Sequence, residues 1–342
     1  MVIFFVLFII SYCMIKSVFS LVAIILGAFI GAGFCSGKEI FAFFARYGKI
    51  SITLSLICGL LLCLLMWIFL VTGKYLDTNK SKFGNTFLNM FSVIASLVII
   101  ASMLAGSVCV GINLNDNLVI IIYIATALLT FIICSRGFNG VDKVNLTLIP
   151  LIIIILLVTC LLSKGADDWV VGGNIVGGIL SCFNYLSFNL LLIGMLLIKI
   201  APRYSTKEIK WGTIFSSGII TIFLILICVT LNKNSSQILS SDMPILSLAF
   251  SVSRGFGIVC GIVIWLGLLT TLISSTYATL NFLPKSRDTS LLYIVLILGV
   301  GAVISVMGFS FIVNYLYWII GVMGIVYTAY VVGYYLKYVK KK

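Results

Sequence analysis

Residues 289–336 form a tract of 48 without a single charge, and no other feature constrains the chain more. As one α-helix, at ~1.5 Å per residue, the tract would be about 72 Å long, against about 30 Å for a bilayer's hydrocarbon core. It must therefore fold back once, and it reads as two membrane-crossing helices joined by a tight turn near Gly308-Phe309-Ser310. Further uncharged runs of crossing length cover 17–37, 50–73, 86–115, 117–135, 144–163, 169–198, 211–232 and 255–284. The expectation is an all-α integral membrane protein of about ten transmembrane helices. Composition agrees: 62% of residues are hydrophobic and 9% charged, too few charges for a water-facing surface. Residues 16–342 read as a single membrane domain, with five helices in 16–163 and five in 169–342.

The net charge of +13 raises nucleic acid as a partner, but the basic residues lie in short loops rather than on one face. Membrane insertion explains them better. With Lys16 inside, alternate loops carry 16 of the 22 Lys and Arg residues, and the opposite loops carry five: Arg46, Lys49, Lys164, Lys233 and Arg254. This positive-inside pattern places both ends of the ten-helix body in the cytoplasm, in a cell (inner or plasma) membrane. Residues 1–15 stand apart. They are apolar and shorter than a crossing, with no basic start and no small-residue cleavage site. They read either as an upstream mis-start or as a short additional membrane segment.

Enzyme chemistry is not expected. There is no His, no phosphate-binding glycine loop, no nucleophile-elbow motif and no pair of carboxylates within a crossing. The ten cysteines follow no metal-ligand spacing. No cofactor is implied beyond a coupling ion, Na⁺ or H⁺, and the implied partners are a small solute and the bilayer. The oligomeric state is open at this point.

Three segments depart from plain lipid-facing helix. In GAFIGAGFCSGKEIFAFFAR, residues 27–46, Gly31, Gly33 and Gly37 interrupt an apolar run beside Ser36, Lys38 and Glu39. Glycine lets backbone leave the helix, and non-helical backbone at membrane depth must line a cavity or be buried in protein. A broken helix would turn free carbonyls toward a cation and free N–H groups toward an anion. Ser36-x-x-Glu39 matches a capping box that would start a second half-helix at Ser36. Close glycine-mediated helix contact is the alternative. Glu39, the one acidic residue that the pattern places outside a loop, reads equally as a coupling group or as a structural one, close to the outer surface with Lys38 beside it.

The sixth helix carries Ser181, Asn184, Tyr185, Ser187 and Asn189 after Gly177 and Gly178, which suggests a lined cavity and an interruption matching that of helix one. The eighth carries Thr270, Thr271, Ser274 and Ser275, hydroxyls that either face a cation or bond their own backbone.

Taken together, the first motif through Tyr47-Gly48, NYLSFNL on helix six and the Thr-Thr cluster on helix eight resemble the YkvI-like family of uncharacterised bacterial membrane proteins. That family is similar to the amino acid–polyamine–organocation (APC) transporter superfamily, whose fold is the five-plus-five inverted repeat of the leucine-transporter (LeuT) type with helices 1 and 6 broken. The likeness covers about residues 16–342, and residues 1–12 have no counterpart in it. It implies substrate-site backbone at Ala32, Gly33 and Phe34, with Asn184, Tyr185 and Asn189 facing it. It also implies a Na⁺ site from carbonyls near Ala28 and Gly31 with Thr271 and Ser274 or Ser275. Where the family pattern usually has a neutral polar residue, commonly Gln, this chain has Lys38, which bears on any shared role of Glu39.

The function expected is secondary transport of a small amino-acid-like or organic solute, coupled to Na⁺ or H⁺. Two other classes stay open: a receptor or sensor that keeps a transporter fold without transport, and a scaffold that binds no solute. Saturable ligand binding would exclude the scaffold, and counterflow would exclude the sensor.

Overall fold

The structure is a computed structural model that describes residues 2–75, 82–136, 141–163, 165, 169–170, 173–238, 241–280, 283 and 287–340. Side chains are not described for 2–13, 32, 82–89, 141–149, 237 and 287–289. The reading of residues 1–15 as a leader falls mainly on these and lies outside the described side chains.

Each expected apolar run falls on a helix. In chain order these are α1 (Val2–Phe29), α2 (Ala32–Ser36), α3 (Lys38–Phe43), α4 (Ile50–Tyr75), α5 (Lys82–Leu114), α6 (Val119–Arg136), α7 (Val141–Leu162) and α8 (Ile175–Ile200). Then follow α9 (Thr206–Lys233), the short α10 (Ser235–Ile238) and α11 (Pro244–Val252), α12 (Arg254–Leu280), α13 (Arg287–Ser305), α14 (Phe309–Phe311) and α15 (Tyr317–Tyr334). Among the described residues, seven helices are long and apolar enough to cross a membrane, and three shorter apolar helices cover Met14–Phe29, Pro150–Leu162 and Ser290–Ser305. The protein is a multi-pass helical membrane protein.

Local chemistry sets the ends of several helices. At α9, the Ser205 side chain accepts from the Glu208 amide at 3.3 Å and the Glu208 carboxylate accepts from the Ser205 amide at 2.6 Å, a complete capping box. Asn174 caps α8 through the Val176 amide at 3.0 Å. The 48-residue tract turns where expected. α13 ends at Ser305, and Gly308 takes φ 85° and ψ 151°, backbone open essentially to glycine, before α14 begins. Large aliphatic side chains such as Leu60, Ile120, Val303 and Val306 point outward, as a lipid-facing surface requires.

The helices pack in a recurring set of pairs. α4 lies against α8 and α9, α1 against α9 and α7, and α15 against α8 and α5. α5 lies against α12, α13 and α6, and α12 also packs on α6, α7 and α13.

The first helix is interrupted, as the glycines imply. The Gly31 amide bonds the Phe29 carbonyl at 2.9 Å, two residues back, and its backbone is extended (φ −86°, ψ −176°). A second bend follows at Gly37, in the left-handed region at φ 75°. Helix six differs from expectation: α8 runs unbroken over 26 residues. Gly177 and Gly178 sit in its first turn, and Gly178 and Gly194 serve close packing, since a Cβ at either would press on Leu54 or Phe69. The interruption thus belongs to helix one, and the polar residues of helix six are held on regular helix.

Candidate functional site

The break in the first helix meets two other elements. On one side α2 packs on α12, where a Cβ at Gly31 would stand 3.8 Å from the Thr271 hydroxyl oxygen. Thr270 and Thr271 both donate to the Gly267 carbonyl, at 3.1 and 2.9 Å, so their hydroxyl protons stay within their own helix and their oxygens keep lone pairs to offer. Ala28, Thr271, Ser274 and Ser275 are all half-buried. The structure therefore brings Gly31 and Thr271 together, and places Ser274 and Ser275 within the next turn of the same helix.

On the other side, α3 and its continuation pack on α8. The expected capping box does not form. Ser36 donates to the Gly33 carbonyl at 2.8 Å and accepts from the Lys38 amide at 3.2 Å, and Gly37, without a side chain, is the cap of α3. Glu39 instead reaches back over Gly33, so that a Cβ there would collide with its carboxylate. The left-handed bend at Gly37 is what turns the chain far enough for this. Glu39 is only 7% exposed, so it is buried within the protein.

Lys38 is not its partner. Neighbouring residues on a helix do not face each other, and the Lys38 ammonium donates to the Ser241 carbonyl at 2.7 Å. The next residue, Asp242, lies close enough to Lys38 to interact with its charge. Asp242 accepts in turn from the Ser310 hydroxyl and, at 3.8 Å, from the Cys109 thiol. Four segments are tied together there.

Phe43 and Phe44, which follow Glu39 in the chain, belong to a buried aromatic cluster. Tyr185 is fully buried, with ring centroids of Phe44 at 4.9 Å, Phe43 at 5.4 Å and Phe29 at 6.1 Å. Phe43 stacks on Trp318 at 6.1 Å and on Phe188 at 6.3 Å, and Phe188 stacks on Tyr317 at 4.6 Å. Phe34 packs edge-on to Phe29 at 6.3 Å. The Tyr317 hydroxyl donates to Ser102 at 2.7 Å. The Tyr185 hydroxyl makes no well-formed hydrogen bond, although the Asn189 amide lies near it.

The polar residues of α8 divide by role. Asn184 donates to the Trp318 carbonyl at 3.1 Å, and its own side-chain oxygen has no donor. Asn189 donates to the Tyr185 carbonyl at 2.9 Å, and Ser181 donates to the Phe43 carbonyl at 2.8 Å. Of the expected facing residues, Tyr185 is the one set against the interrupted helix by its ring. Asn184 is turned to α15, where it packs against Gly321. Ala32 begins α2, and its side chain is outside the described set.

Sequence reasoning missed Phe43, Phe44, Ser102, Tyr317 and Trp318. The signal was the aromatic cluster YLYW at 315–318, where the backbone of Ile312–Leu316 widens into a π-turn beside α3. Such turns recur at functional sites.

The glycine-rich motif and its buried neighbours have a counterpart among known proteins. The chain is similar to YkvI. This uncharacterized membrane protein of Bacillus subtilis (strain 168) is 26% identical over 285 residues, spanning 76% of this chain and 81% of YkvI. The YkvI resemblance read from the motifs is thus met across most of the chain. No family model matches the chain.

Proposed function

We propose that this YkvI-like chain is a secondary transporter of a small solute, with ten membrane helices in two inverted five-helix halves of the APC type. The observation that carries the reading is the interrupted first helix. Its one side meets Thr271, and its other side holds a buried carboxylate over Gly33. Irregular backbone at that depth is costly unless it serves a site.

The packing pairs support the two-half arrangement. Exchanging each helix of the first half for the helix five crossings later turns α1–α9 into α8–α4, α15–α8 into α7–α1, and α13–α5 into α6–α12, all of them observed pairs. α4–α9 and α5–α12 map onto themselves. The 16 to 5 division of basic residues supports cytoplasmic ends in a cell membrane. The coupling cation of this reading is Na⁺, held by carbonyls near Ala28 and Gly31 with the hydroxyls of Thr271 and Ser274 or Ser275. Oxygen ligands of this kind suit a hard cation.

Counterflow into proteoliposomes tests it. Labelled alanine and labelled choline, each chased with the same unlabelled solute, are compared with and without Na⁺. Accelerated, Na⁺-dependent exchange of at least one is expected, with Na⁺ dependence weakened in Thr271→Ala. Absence of accelerated exchange for both solutes overturns the reading.

A further inference from the structure

We infer that the end of α4 carries a docking surface for an anionic phospholipid, built by three elements that gather basic side chains around it. Two contacts bring them together. At Gly73 the last turns of α4 lie directly on the end of α8: a Cβ there would stand 2.5 Å from the Ile198 carbonyl oxygen and 2.8 Å from the Ala201 side chain. Lys74 is thereby set beside the stretch that carries Lys199 and Arg203. About two turns earlier on α4, the Trp67 ring meets that of Tyr335 edge-on at 5.7 Å and brings in the chain end with Lys337 and Lys340. There the backbone of Tyr335–Val339 widens into a π-turn, in which the Lys340 amide bonds the Tyr335 carbonyl at 3.0 Å.

Lys199, Arg203, Lys337 and Lys340 are exposed, and among the described residues no ion pair neutralises them. Glu208, at the start of α9, is engaged in its capping box, where it accepts from the Ser205 amide at 2.6 Å. Retention of basic loops explains why such residues lie on this side of the membrane. It does not gather them on one helix end, where like charges repel unless an anion stands among them.

The surroundings choose the kind of anion. Tyr75, Leu336 and Tyr338 stand beside these bases with half of their surface exposed. Rings and aliphatic side chains next to lysines match the headgroup level of a bilayer, where the apolar parts meet glycerol and acyl chain and the charges meet phosphate. The Lys337 ammonium lies over the Tyr338 ring at 5.0 Å, which keeps it against that apolar rim. Arg203 adds a guanidinium able to hold a phosphate through two parallel N–H groups. A free anion would use the charges and leave the exposed rings and Leu336 without a role. The surface is separate from the solute and cation sites proposed at the first helix, so it stands whether or not the chain exchanges a solute.

The test uses the purified full chain in phosphatidylcholine nanodiscs with increasing shares of phosphatidylglycerol, and reads thermal unfolding. Phosphatidylglycerol is expected to raise the melting temperature, as a ligand of the folded state does, while inorganic phosphate in solution leaves it unchanged. The triple variant Arg203→Gln, Lys337→Gln, Lys340→Gln should need about tenfold or more phosphatidylglycerol for the same shift. The control Lys16→Gln, Arg136→Gln, Lys210→Gln removes as many exposed bases from α1, α6 and α9, and should respond like the unmodified chain. If the first triple variant is not recovered folded, a photoreactive phosphatidylglycerol on the unmodified chain decides, with adducts expected on residues 199–203 and 335–340. No shift with phosphatidylglycerol, an equal shift with inorganic phosphate, an equal loss in the control variant, or adducts confined to other segments each overturns the inference.

Discussion

Gly31 and Gly33 are two residues apart, yet a methyl group would have different consequences at each. At Gly33 it meets the Glu39 carboxylate, the movable end of a side chain, so the protein should fold with the carboxylate displaced. Gly33→Ala is therefore expected to remain in the membrane and to slow the proposed exchange by up to about tenfold, the scale of one lost polar contact. At Gly31 the nearest atom is the Thr271 hydroxyl oxygen at 3.8 Å, an ordinary contact, and the backbone angles suit any residue. Gly31→Ala should keep its melting temperature, and because Gly31 belongs to the proposed cation site any loss of exchange should appear as weakened Na⁺ dependence. Counterflow of the two variants with Na⁺ titrated checks the pair, and an exchange loss in Gly31→Ala that Na⁺ does not influence would remove Gly31 from the cation site. The sequence already exposed Gly31, Gly33, Glu39 and Tyr185, because glycine, charge and polar atoms stand out in apolar runs. Tyr317, Trp318, Phe43 and Phe44 did not stand out, since an aromatic residue in a membrane helix looks the same whether it faces lipid or a buried aromatic cluster.

The helix pair α8–α15 depends on backbone rather than side-chain fit. A Cβ on Gly324 would run into the Ser187 carbonyl group, and one on Gly321 into the Asn184 side chain, with the Asn184 carbonyl 2.8 Å away. Backbone cannot swing aside as Glu39 can. Gly324→Ala is expected to cost about 1–3 kcal/mol or more by overpacking, read as a lower melting temperature in detergent. Gly333→Ala, with nothing within 4 Å, is the matched control and should be neutral or gain up to about 1 kcal/mol of helix preference. At the turn between α13 and α14 the constraint is conformational. Nothing crowds Gly308, but its φ of 85° with ψ 151° should make Gly308→Ala cost about 1–3 kcal/mol in the same assay. The turn and the broken first helix were both readable from glycine placement. The expected break in helix six was not realised, because glycine at a helix start or at a helix contact gives the same letters as glycine at a break.

Across the molecule, topology is the most directly measurable consequence. The described cysteines are buried or half-buried free thiols, so background labelling should be low. Asn115, between α5 and α6, and Lys207, in the first turn of α9, are both exposed. Asn115→Cys should react with a membrane-impermeant maleimide in intact cells and Lys207→Cys only after the cells are opened. The opposite result would invert the orientation drawn from the basic residues. Hydrophobic run length and loop charge act on the chain one segment at a time, through transfer into lipid and retention of basic loops. The sequence by itself therefore determined the membrane class, the placement of the helices and the turn at Gly308. Whether a polar side chain bonds its own helix, caps an end or faces a neighbour depends on which helix stands opposite. Only the tertiary structure decided that Ser36 bonds Gly33, that Lys38 turns to Ser241, and that Glu39 lies over Gly33.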